Sequence, residues 1–381
     1  MIFSHISDTH LGFVQYHSEE REEDVYSAFN QVIDTSISDH VDFVIFAGDI
    51  FHVPNPSGKA ILVLANALKR LKQNNIDSFF ILGEHDISRI RATPVPFVYH
   101  NLEFSKYIGN GKPLQFKDVL IVGYDKRRKS EIHTFEHDFE KADSEAKNHN
   151  GHKILVLHQG ISEINKFAGE LNSTDLPEKF TYYAMGHLHE RELKRYNHLG
   201  GLVAYPGSIE LTSSEGIKET QKGFYEVDLS SSEAKPNWIR LNTRLQYSVR
   251  TSFENLAKEI DTLSEKFQSL TRKPIVEIKI HGDNIETDLV QSQIAKLFPL
   301  TLRCFWKAIM SEENEGSTFI DKPAKIDDEM LKLAKEILKS EDLANFAIND
   351  LLPLLSKNQI EEANHLVIEN FNRFKKEMKK C

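Results

Sequence analysis

The sequence predicts an α/β fold, in which short buried strands alternate with amphipathic helices. Apolar runs such as residues 44–47 are short and continuous, which is typical of strands that are buried on both faces. Polar segments such as residues 19–38 carry apolar side chains at helical spacing. The apolar runs also end in carboxylates or imidazoles, and the ligand sites of open α/β sheets lie at the carboxyl ends of strands. We therefore expect the functional site at these strand ends.

Five of the apolar runs are followed by residues that can bind metals. In chain order these residues are Asp8 and His10, Asp49 and His52, Glu84 and His85, His158, and His187 and His189. A single histidine is usually packed or exposed, and the chain has 17 of them, but five repeats of one arrangement are hard to explain as packing. Mixed carboxylate and imidazole ligands suit Mn, Fe or Zn. These ligands are too many for one tetrahedral ion, and two bridged ions suit in-line displacement at phosphorus.

Length and composition limit the class of protein. A chain of 381 residues should form two or three domains. It has no apolar run of about 18 residues, so we expect no membrane span, and Met1 leads directly into a strand, so no signal peptide is visible. Two cysteines, Cys304 and Cys381, favour a reducing compartment. The net charge of −10 does not suggest DNA binding, so local basic patches and bound ions would have to offset it.

The order of the motifs resembles the calcineurin-like metallophosphoesterase superfamily. The motifs are D-x-H at 8–10, G-D at 48–49, G-x-H-D at 83–86, the histidine at 158 and G-H-x-H at 186–189. Within the superfamily, DTHLG at 8–12, GDIFH at 48–52 and GHLH at 186–189 most resemble the Mre-eleven/SbcD family of double-strand-break repair nucleases, in its short archaeal form. This resemblance implies a four-layer sandwich of two mixed β-sheets flanked by helices. It also implies a cytoplasmic, nucleoid-associated enzyme that processes DNA ends in break repair.

The resemblance further implies a manganese-dependent phosphodiesterase with two Mn²⁺ ions per chain. Its activities would be a 3′-to-5′ exonuclease on double-stranded DNA and an endonuclease on single-stranded DNA. By family position, the first metal would be held by Asp8, His10, Asp49 and His189. The second metal would be held by Asp49, Glu84, His158 and His187. Two catalytic residues would not be ligands: His85 would stabilise or protonate the leaving oxygen, and His52 would help to place the phosphate or the DNA end.

Residue 84 departs from the family pattern, which has Asn where this chain has Glu84. An Asn amide can bind a metal through its oxygen and donate to a phosphate oxygen through its NH₂, whereas a carboxylate can do only the first. The extra negative charge also opposes a phosphodiester, by about 4 kcal/mol at roughly 4 Å and an effective dielectric near 20. Two alternatives to an active nuclease therefore stay open: a catalytically weak scaffold that binds DNA ends, and another phosphodiesterase of the superfamily.

The segment 56–73 predicts a second helix, whose apolar residues cover more than one face. A helix that packs only on its own sheet should have a polar outer stripe. The surplus predicts a second partner, most simply the same helix of another subunit around a two-fold axis. The resemblance implies the same homodimer. The alternative is that residues 93–100 of the same chain cover the helix.

A basic run follows the strand predicted at residues 116–123. It consists of Lys126, Arg127, Arg128 and Lys129. A run of this kind is most often a solvated face, but one that lies beyond a strand end near a phosphate site could contact the DNA backbone. The sequence leaves both interpretations open.

The pattern changes near Leu241. We expect a metallophosphoesterase domain at 1–242 and a small α+β domain at 243–310, which the resemblance identifies as a DNA-capping domain. An acidic linker with Gly316 and Pro323 should span 311–325. Two amphipathic helices should follow within 326–381, with too small a core to be stable alone. The resemblance assigns them to binding of a Rad-fifty/SbcC-type ABC ATPase, and docking back on the chain itself is the alternative.

Overall fold

The computed structural model describes residues 1–88, 93–212, 215–282, 284–309, 334–335, 338–352, 366–367 and 370–371. The chain divides into two units, Met1–Ser311 and Glu312–Cys381. The expected linker at 311–325 lies outside the described residues, as do most of the two helices expected within 326–381.

The first sheet has six strands. They are β1 (Ile2–Ile6), β2 (Phe43–Ala47), β3 (Asp77–Ile81), β4 (Lys106–Tyr107), β11 (Gly223–Asp228) and β12 (Lys235–Arg240). Their order is β12-β11-β1-β2-β3-β4. Strands β1 to β4 run parallel, while β11 is antiparallel to both β1 and β12. The carboxyl ends of β1, β2 and β3 therefore lie side by side.

The second sheet also has six strands. They are β5 (Leu114–Phe116), β6 (Val119–Tyr124), β7 (Lys153–His158), β8 (Tyr182–Gly186), β9 (Glu192–Arg195) and β10 (Leu202–Tyr205), in the order β5-β6-β7-β8-β10-β9. Strands β6, β7, β8 and β10 are parallel. The expected single strand at 116–123 is in fact the hairpin of β5 and β6, which turns at Lys117 and Asp118. The strands that follow His189 divide between the two sheets: β9 and β10 belong to the second sheet, whereas β11 pairs with β1 in the first.

Helices cover the outer face of each sheet. They are α1 (Glu19–Ser38), α2 (Gly58–Gln73), α3 (Pro96–Asn101) and α4 (Phe135–Lys147). One apolar core joins α1 and α2 to the outer face of the first sheet, and another joins α4 to the outer face of the second. A third core lies between the sheets, where Phe43 and Ile45 pack with Ile121 and Ile154. These layers confirm the predicted fold class of two mixed sheets flanked by helices.

A three-stranded parallel sheet lies in the last part of the first unit. Its elements are β13 (Gln246–Ser252), α5 (Leu256–Gln268), β14 (Ile275–His281), α6 (Thr287–Ile294) and β15 (Arg303–Ala308). Its buried residues form a separate apolar core. Arg244 precedes it and binds Asp24 of α1 at 2.6 Å, while Arg303 stacks over the Tyr16 ring at 4.9 Å. The α+β module therefore has a core of its own and polar contacts with the two-sheet body.

In the second unit the structure describes a short helix, α7 (Glu341–Asn345), and the π-helical turn Phe346–Leu351. Among the described residues, no helix combines the length and the apolar composition that a membrane crossing requires.

The helix α2 buries one face and exposes part of another. Leu64, Leu68 and Leu71 lie in the core, while Leu62 is 63% exposed. The neighbouring helix α3 covers part of α2, since the Tyr99 hydroxyl donates to the Ile61 carbonyl at 2.8 Å. The expected cover by residues 93–100 is thus present but incomplete, and Leu62 remains open to solvent.

Candidate metal centre

Residues that follow five parallel strands meet at one edge of the two sheets. The first sheet supplies Asp8 and His10 after β1, Asp49 and His52 after β2, and Glu84 and His85 after β3; the second supplies His158 at the end of β7, and His187 and His189 after β8. Backbone hydrogen bonds tie the first two loops together, from Asp8 N to Gly48 O at 3.1 Å and from His10 N to Asp49 O at 3.0 Å. The side chains are thus placed by the main chain.

Four of these residues adopt a backbone conformation that L-residues rarely take. The φ angles are 52° at Asp8, 43° at His10, 50° at Asp49 and 93° at His187. Positive φ values cost free energy and persist only where the surrounding structure holds them, as commonly occurs at functional sites. Sequence reasoning does not detect this strain, because no glycine marks these positions.

Two glycines permit the close approach of the loops. A Cβ atom on Gly83 would lie 2.1 Å from Asp49 Oδ1, and one on Gly186 would lie 2.1 Å from the Ala47 carbonyl oxygen. Both contacts are far shorter than van der Waals distances, so any other residue at either position would push the β2 loop away. The glycines in G-E-H-D and G-H-L-H therefore serve the approach of strand ends rather than flexibility.

The first cluster comprises Asp8, His10 and His189, whose candidate ligand atoms all lie within 4.8 Å of one another. His10 Nε2 lies 3.0 Å from His189 Nε2, and Asp8 Oδ1 lies 3.9 Å from His189 Nε2. Two imidazole nitrogens at hydrogen-bond distance can share only one proton. A cation between them satisfies both lone pairs and the carboxylate.

The second cluster comprises Glu84, His158 and His187. The Glu84 carboxylate lies 3.1 Å from His158 Nε2 and 2.9 Å from His187 Nδ1. Asp49 lies between the two clusters, because its Oδ2 is 3.3 Å from His158 Nε2 and its carboxylate also groups with Asp8. The structure thus brings together all seven residues that the family resemblance implies as metal ligands.

His158 shows that this arrangement suits a cation. Its Nδ1 donates to the Ala47 carbonyl at 2.7 Å, so the neutral ring carries its lone pair on Nε2. Among the residues that the structure describes, that lone pair faces carboxylate oxygens alone, those of Glu84 at 3.1 Å, Asp49 at 3.3 Å and Asp8 at 3.8 Å. Burial opposes a charged ring, but these carboxylates raise the pKa of His158 well above its ordinary value. Without a metal ion, a proton on His158 Nε2 therefore occupies a position that would also suit a metal ion.

Asp49 and Glu84 are held ionised in the same environment, whereas burial raises the pKa of Asp8 above its ordinary value. Burial opposes ionisation of Asp49, but His158 and His10 lower its pKa to about 2. Burial also opposes ionisation of Glu84, yet its hydrogen bonds with His158 and His187 lower its pKa well below the usual range. Protonation of Glu84, which would remove its extra charge, is thus disfavoured.

A buried polar network contacts His189 at its Nδ1 atom and its backbone carbonyl. Thr212 Oγ1 lies 3.1 Å from His189 Nδ1, and Glu215 Oε2 lies 3.5 Å from the same atom. Lys222 binds Glu215 and donates to the His189 carbonyl at 2.9 Å. Such partners orient a metal-binding imidazole and fix its tautomer. Sequence reasoning misses them, since they lie more than 20 residues from His189 and no motif marks them.

His85 and His52 lie beside the clusters. The His85 backbone N–H donates to Asp49 Oδ1 at 2.8 Å, and His85 Nδ1 donates to the His52 carbonyl at 2.7 Å. The two rings stack with centroids 5.3 Å apart. Burial, followed by the charge of His85, lowers the pKa of His52 to about 4, so His52 is neutral at pH 7. His85, with Asp49 and Glu84, lines an open cavity of about 550 Å³.

The four basic residues at 126–129 have different environments. The Lys126 side chain is only 8% exposed and lies in the metal centre, 3.3 Å from His187 Nε2. Arg127 stacks on the Phe135 ring at 4.0 Å and pairs with Asp138. Arg128 and Lys129 are exposed. The run is therefore not one continuous DNA-facing patch, and its first two members are engaged within the protein.

Comparison with known proteins yields consistent matches. Residues 1–191 match the family model described as calcineurin-like phosphoesterase. The chain is similar to the DNA double-strand break repair protein Mre11 of Saccharolobus solfataricus, at 32% identity over 78% of this chain and 80% of that protein. It is also similar to the protein of the same name from Methanocaldococcus jannaschii, at 31% identity over 89% of each chain.

Among solved structures, a dimetal phosphatase from Danio rerio matches 63% of this chain and 96% of its own, with a TM-score of 0.44 and 11% sequence identity.

Proposed function

The chain belongs to the Mre11 family of DNA double-strand break repair proteins, within the calcineurin-like phosphoesterases, and we propose that it is a manganese-dependent DNA nuclease. One observation carries the proposal: two clusters of side chains that could bind metals lie on either side of Asp49, which lines a cavity. Its activities would be the 3′-to-5′ exonuclease on double-stranded DNA and the endonuclease on single-stranded DNA that the resemblance implies. The substrate would be a DNA end at a broken duplex.

Two divalent ions would be held at this site. Asp8, His10, Asp49 and His189 would hold the first, and Asp49, Glu84, His158 and His187 the second. When bound, such ions polarise the phosphodiester and lower the pKa of water. The protein's own part is to fix these ligands through the Ala47, Thr212 and Glu215 contacts described above.

His85 is the candidate for proton transfer to the leaving oxygen. Its Nδ1–H is held by the His52 carbonyl, which leaves Nε2 as the nitrogen that can give or take a proton. The hydrogen bond from the His85 backbone N–H to the Asp49 carboxylate fixes the distance between the His85 ring and the metal centre. His52, which is neutral and stacked on His85, would position the phosphate or the DNA end.

A larger cavity, of about 900 Å³, offers a path for the DNA strand. It shares His189, Glu190 and Lys218 with the cavity at the metal centre, so the two adjoin. Arg191 and Arg240 also line it. These cations would counter the negative charge of the chain where the phosphate backbone passes. The exposed Arg128 and Lys129 would add backbone contacts outside the cavity.

A cleavage assay tests the proposal. Purified chain should cut double- and single-stranded DNA with Mn²⁺ and lose the activity in a chelator. His85→Asn should slow cleavage by about 10²-fold or more while metal binding is retained. His137→Asn is the matched control, because His137 is 87% exposed and lies outside the site. DNA binding without cleavage by the Mn²⁺-loaded chain would instead identify a scaffold.

We also propose that the segment 326–381 binds a Rad-fifty/SbcC-type ABC ATPase. The support is the sequence pattern, an acidic stretch followed by two amphipathic segments. Truncation at Gly316 should abolish co-purification with the ATPase and leave Mn²⁺ binding and basal cleavage intact. Co-purification of the truncated chain would place the partner site elsewhere.

The homodimer remains a proposal, supported by the exposed apolar part of α2. Leu62→Asp, at a position that is 63% exposed, should convert a dimer of 43.8 kDa chains into monomers in light scattering. Leu64, which the sequence pattern does not distinguish from Leu62, is buried and would report on folding instead. A wild-type monomer at micromolar concentration would contradict the proposal.

A further inference from the structure

Lys126 is held at the metal centre by the main chain. Its backbone N–H donates to the Leu82 carbonyl at 2.9 Å, and the preceding Asp125 accepts from the Leu82 N–H at 2.8 Å. Leu82 directly follows β3 and lies two residues before Glu84. The two hydrogen bonds therefore tie the end of β6 to the end of β3. The proximity of Lys126 to Glu84 is thus set by the backbone and not by two long side chains alone.

The Lys126 ammonium contacts three groups of the site. It lies 2.6 Å from Glu170 Oε2, 3.3 Å from His187 Nε2 and 3.8 Å from Glu84 Oε2. Glu170 is itself fixed, because its backbone N–H donates to the Gly160 carbonyl at 3.0 Å and its Oε2 accepts from the Gly160 N–H at 3.4 Å. A nearly buried ammonium is retained only where carboxylates offset its desolvation. Lys126 thus bridges two carboxylates, one of which belongs to the second cluster.

We propose that Lys126 is a positioning residue. Its ammonium lies beside the second metal position and, through Glu84, sets the affinity of that position for a divalent ion. The carboxylate of Glu84 attracts a dication more strongly than a neutral amide would. The Lys126 ammonium repels the dication and pairs with the same carboxylate, so it reduces the gain in affinity for the dication. Lys126 therefore offsets part of the negative charge that Glu84 adds where the family pattern has Asn.

This inference rests on the proposed metal centre and makes a prediction that a purely structural role does not. Loss of the Lys126 charge should tighten binding of the second dication and weaken binding of an anion at the loaded site. Structural damage would weaken both. The opposite signs therefore separate an electrostatic role from a role in folding.

The test uses full-length, chelator-stripped protein and calorimetric titration with Mn²⁺. Lys126→Met should lower the Kd of the second ion by about tenfold. Inorganic phosphate, titrated into the Mn²⁺-loaded protein, should bind several-fold more weakly to this variant. Lys126→Arg should restore both values, since it keeps the charge. Lys141→Met is the matched control, because it removes the same charge from an exposed position of α4 and should change neither value.

A double-variant comparison tests the path through Glu84. In a Glu84→Asn background, the effect of Lys126→Met on the second Mn²⁺ should shrink several-fold, because the shared carboxylate is gone. An undiminished effect in that background, or weaker Mn²⁺ binding by Lys126→Met, would overturn the inference. Lys126→Gln replaces Lys126→Met if the latter does not fold. A wild-type chain that binds no Mn²⁺ would overturn the proposed function as well, whereas unchanged affinity in a wild-type-like variant would overturn this inference alone.

Discussion

The two sheets contribute different chemistry to the candidate metal centre. The first sheet supplies every carboxylate of the proposed ligand set, Asp8, Asp49 and Glu84, from the ends of three adjacent strands. The second sheet supplies only imidazoles to that set, His158, His187 and His189, from two adjacent strands. Each cluster contains residues from both sheets. Neither sheet supplies all the proposed ligands of either ion.

This difference makes the site a link between the sheets. An apolar core between the sheets holds them together. At the edge that carries the site, the His158 ring of the second sheet faces the carboxylates of Asp49 and Glu84 from the first. Metal ions would replace the proton on His158 and join the two edges more strongly. Metal binding should therefore be coupled to the stability of the whole sandwich, and not only to activity.

The largest expected effect is that of metal removal on stability. An ion at a hundred times its Kd contributes about 2.7 kcal/mol, so two ions would contribute about 5 kcal/mol. Differential scanning calorimetry should show a transition several degrees higher with Mn²⁺ than with a chelator. The same comparison on Asp8→Asn should give a smaller shift. A transition that does not depend on metal would mean that the ions do not link the sheets.

A smaller effect concerns the inter-sheet contact of His5. Its Nδ1 lies 3.0 Å from the Tyr182 hydroxyl and its Nε2 lies 3.1 Å from the Met185 carbonyl, so it joins β1 to β8. Burial lowers the pKa of His5 from 6.5 to about 3. The folded state therefore keeps the ring neutral where the unfolded chain binds a proton. Stability contributed by the neutral ring is present above pH 6.5 and is lost as the pH falls toward 3, by about 1.4 kcal/mol per pH unit.

The measurement is the free energy of unfolding in a chelator at several pH values between 7.5 and 5. His5→Gln should be less steep than wild type below pH 6.5 by about 1.4 kcal/mol per pH unit. His137→Gln, at an exposed position, should follow the wild-type curve. Equal slopes for all three proteins would show that His5 is not held neutral.

The smallest effect is a rate change at Glu84, the one carboxylate that stands where the family pattern has Asn. Glu84→Asn removes a negative charge near the phosphodiester and adds a donor for its oxygen. The cleavage rate should rise by about tenfold, which corresponds to roughly 1.4 kcal/mol. Binding of the second metal should weaken at the same time. Slower cleavage with unchanged metal affinity would assign Glu84 a catalytic role of its own.

The sequence could locate the strand ends that carry the candidate ligands because their signal is local. Each apolar run is followed within a few residues by Asp, Glu or His, and parallel strands must bring those ends to one edge. The small α+β module is predicted for the same reason, since alternating strand and helix patterns suffice. The pairing of β11 with β1 is not predicted, because the residues of β11 carry no signal of which strand they pair with.

Other features depend on distant packing and leave no local signal. Lys126 and Lys129 are alike in the sequence, yet one lies in the metal centre and the other is exposed. Leu62 and Leu64 are alike in an apolar helix, yet only Leu64 reaches the core. Glu215 reaches His189 from a loop that follows a later strand. Burial of these side chains follows from tertiary structure, which the local pattern does not encode.

The most direct test of the account concerns Asp49, which should belong to both metal positions. Electron paramagnetic resonance of the wild-type chain with two equivalents of Mn²⁺ should show a magnetically coupled ion pair, as expected for ions about 3.5–4 Å apart. Asp49→Ala should lose the coupling and at least one ion, because both proposed metal positions lose a carboxylate. An Asp49→Ala variant that keeps two ions with the wild-type coupled spectrum would contradict the account.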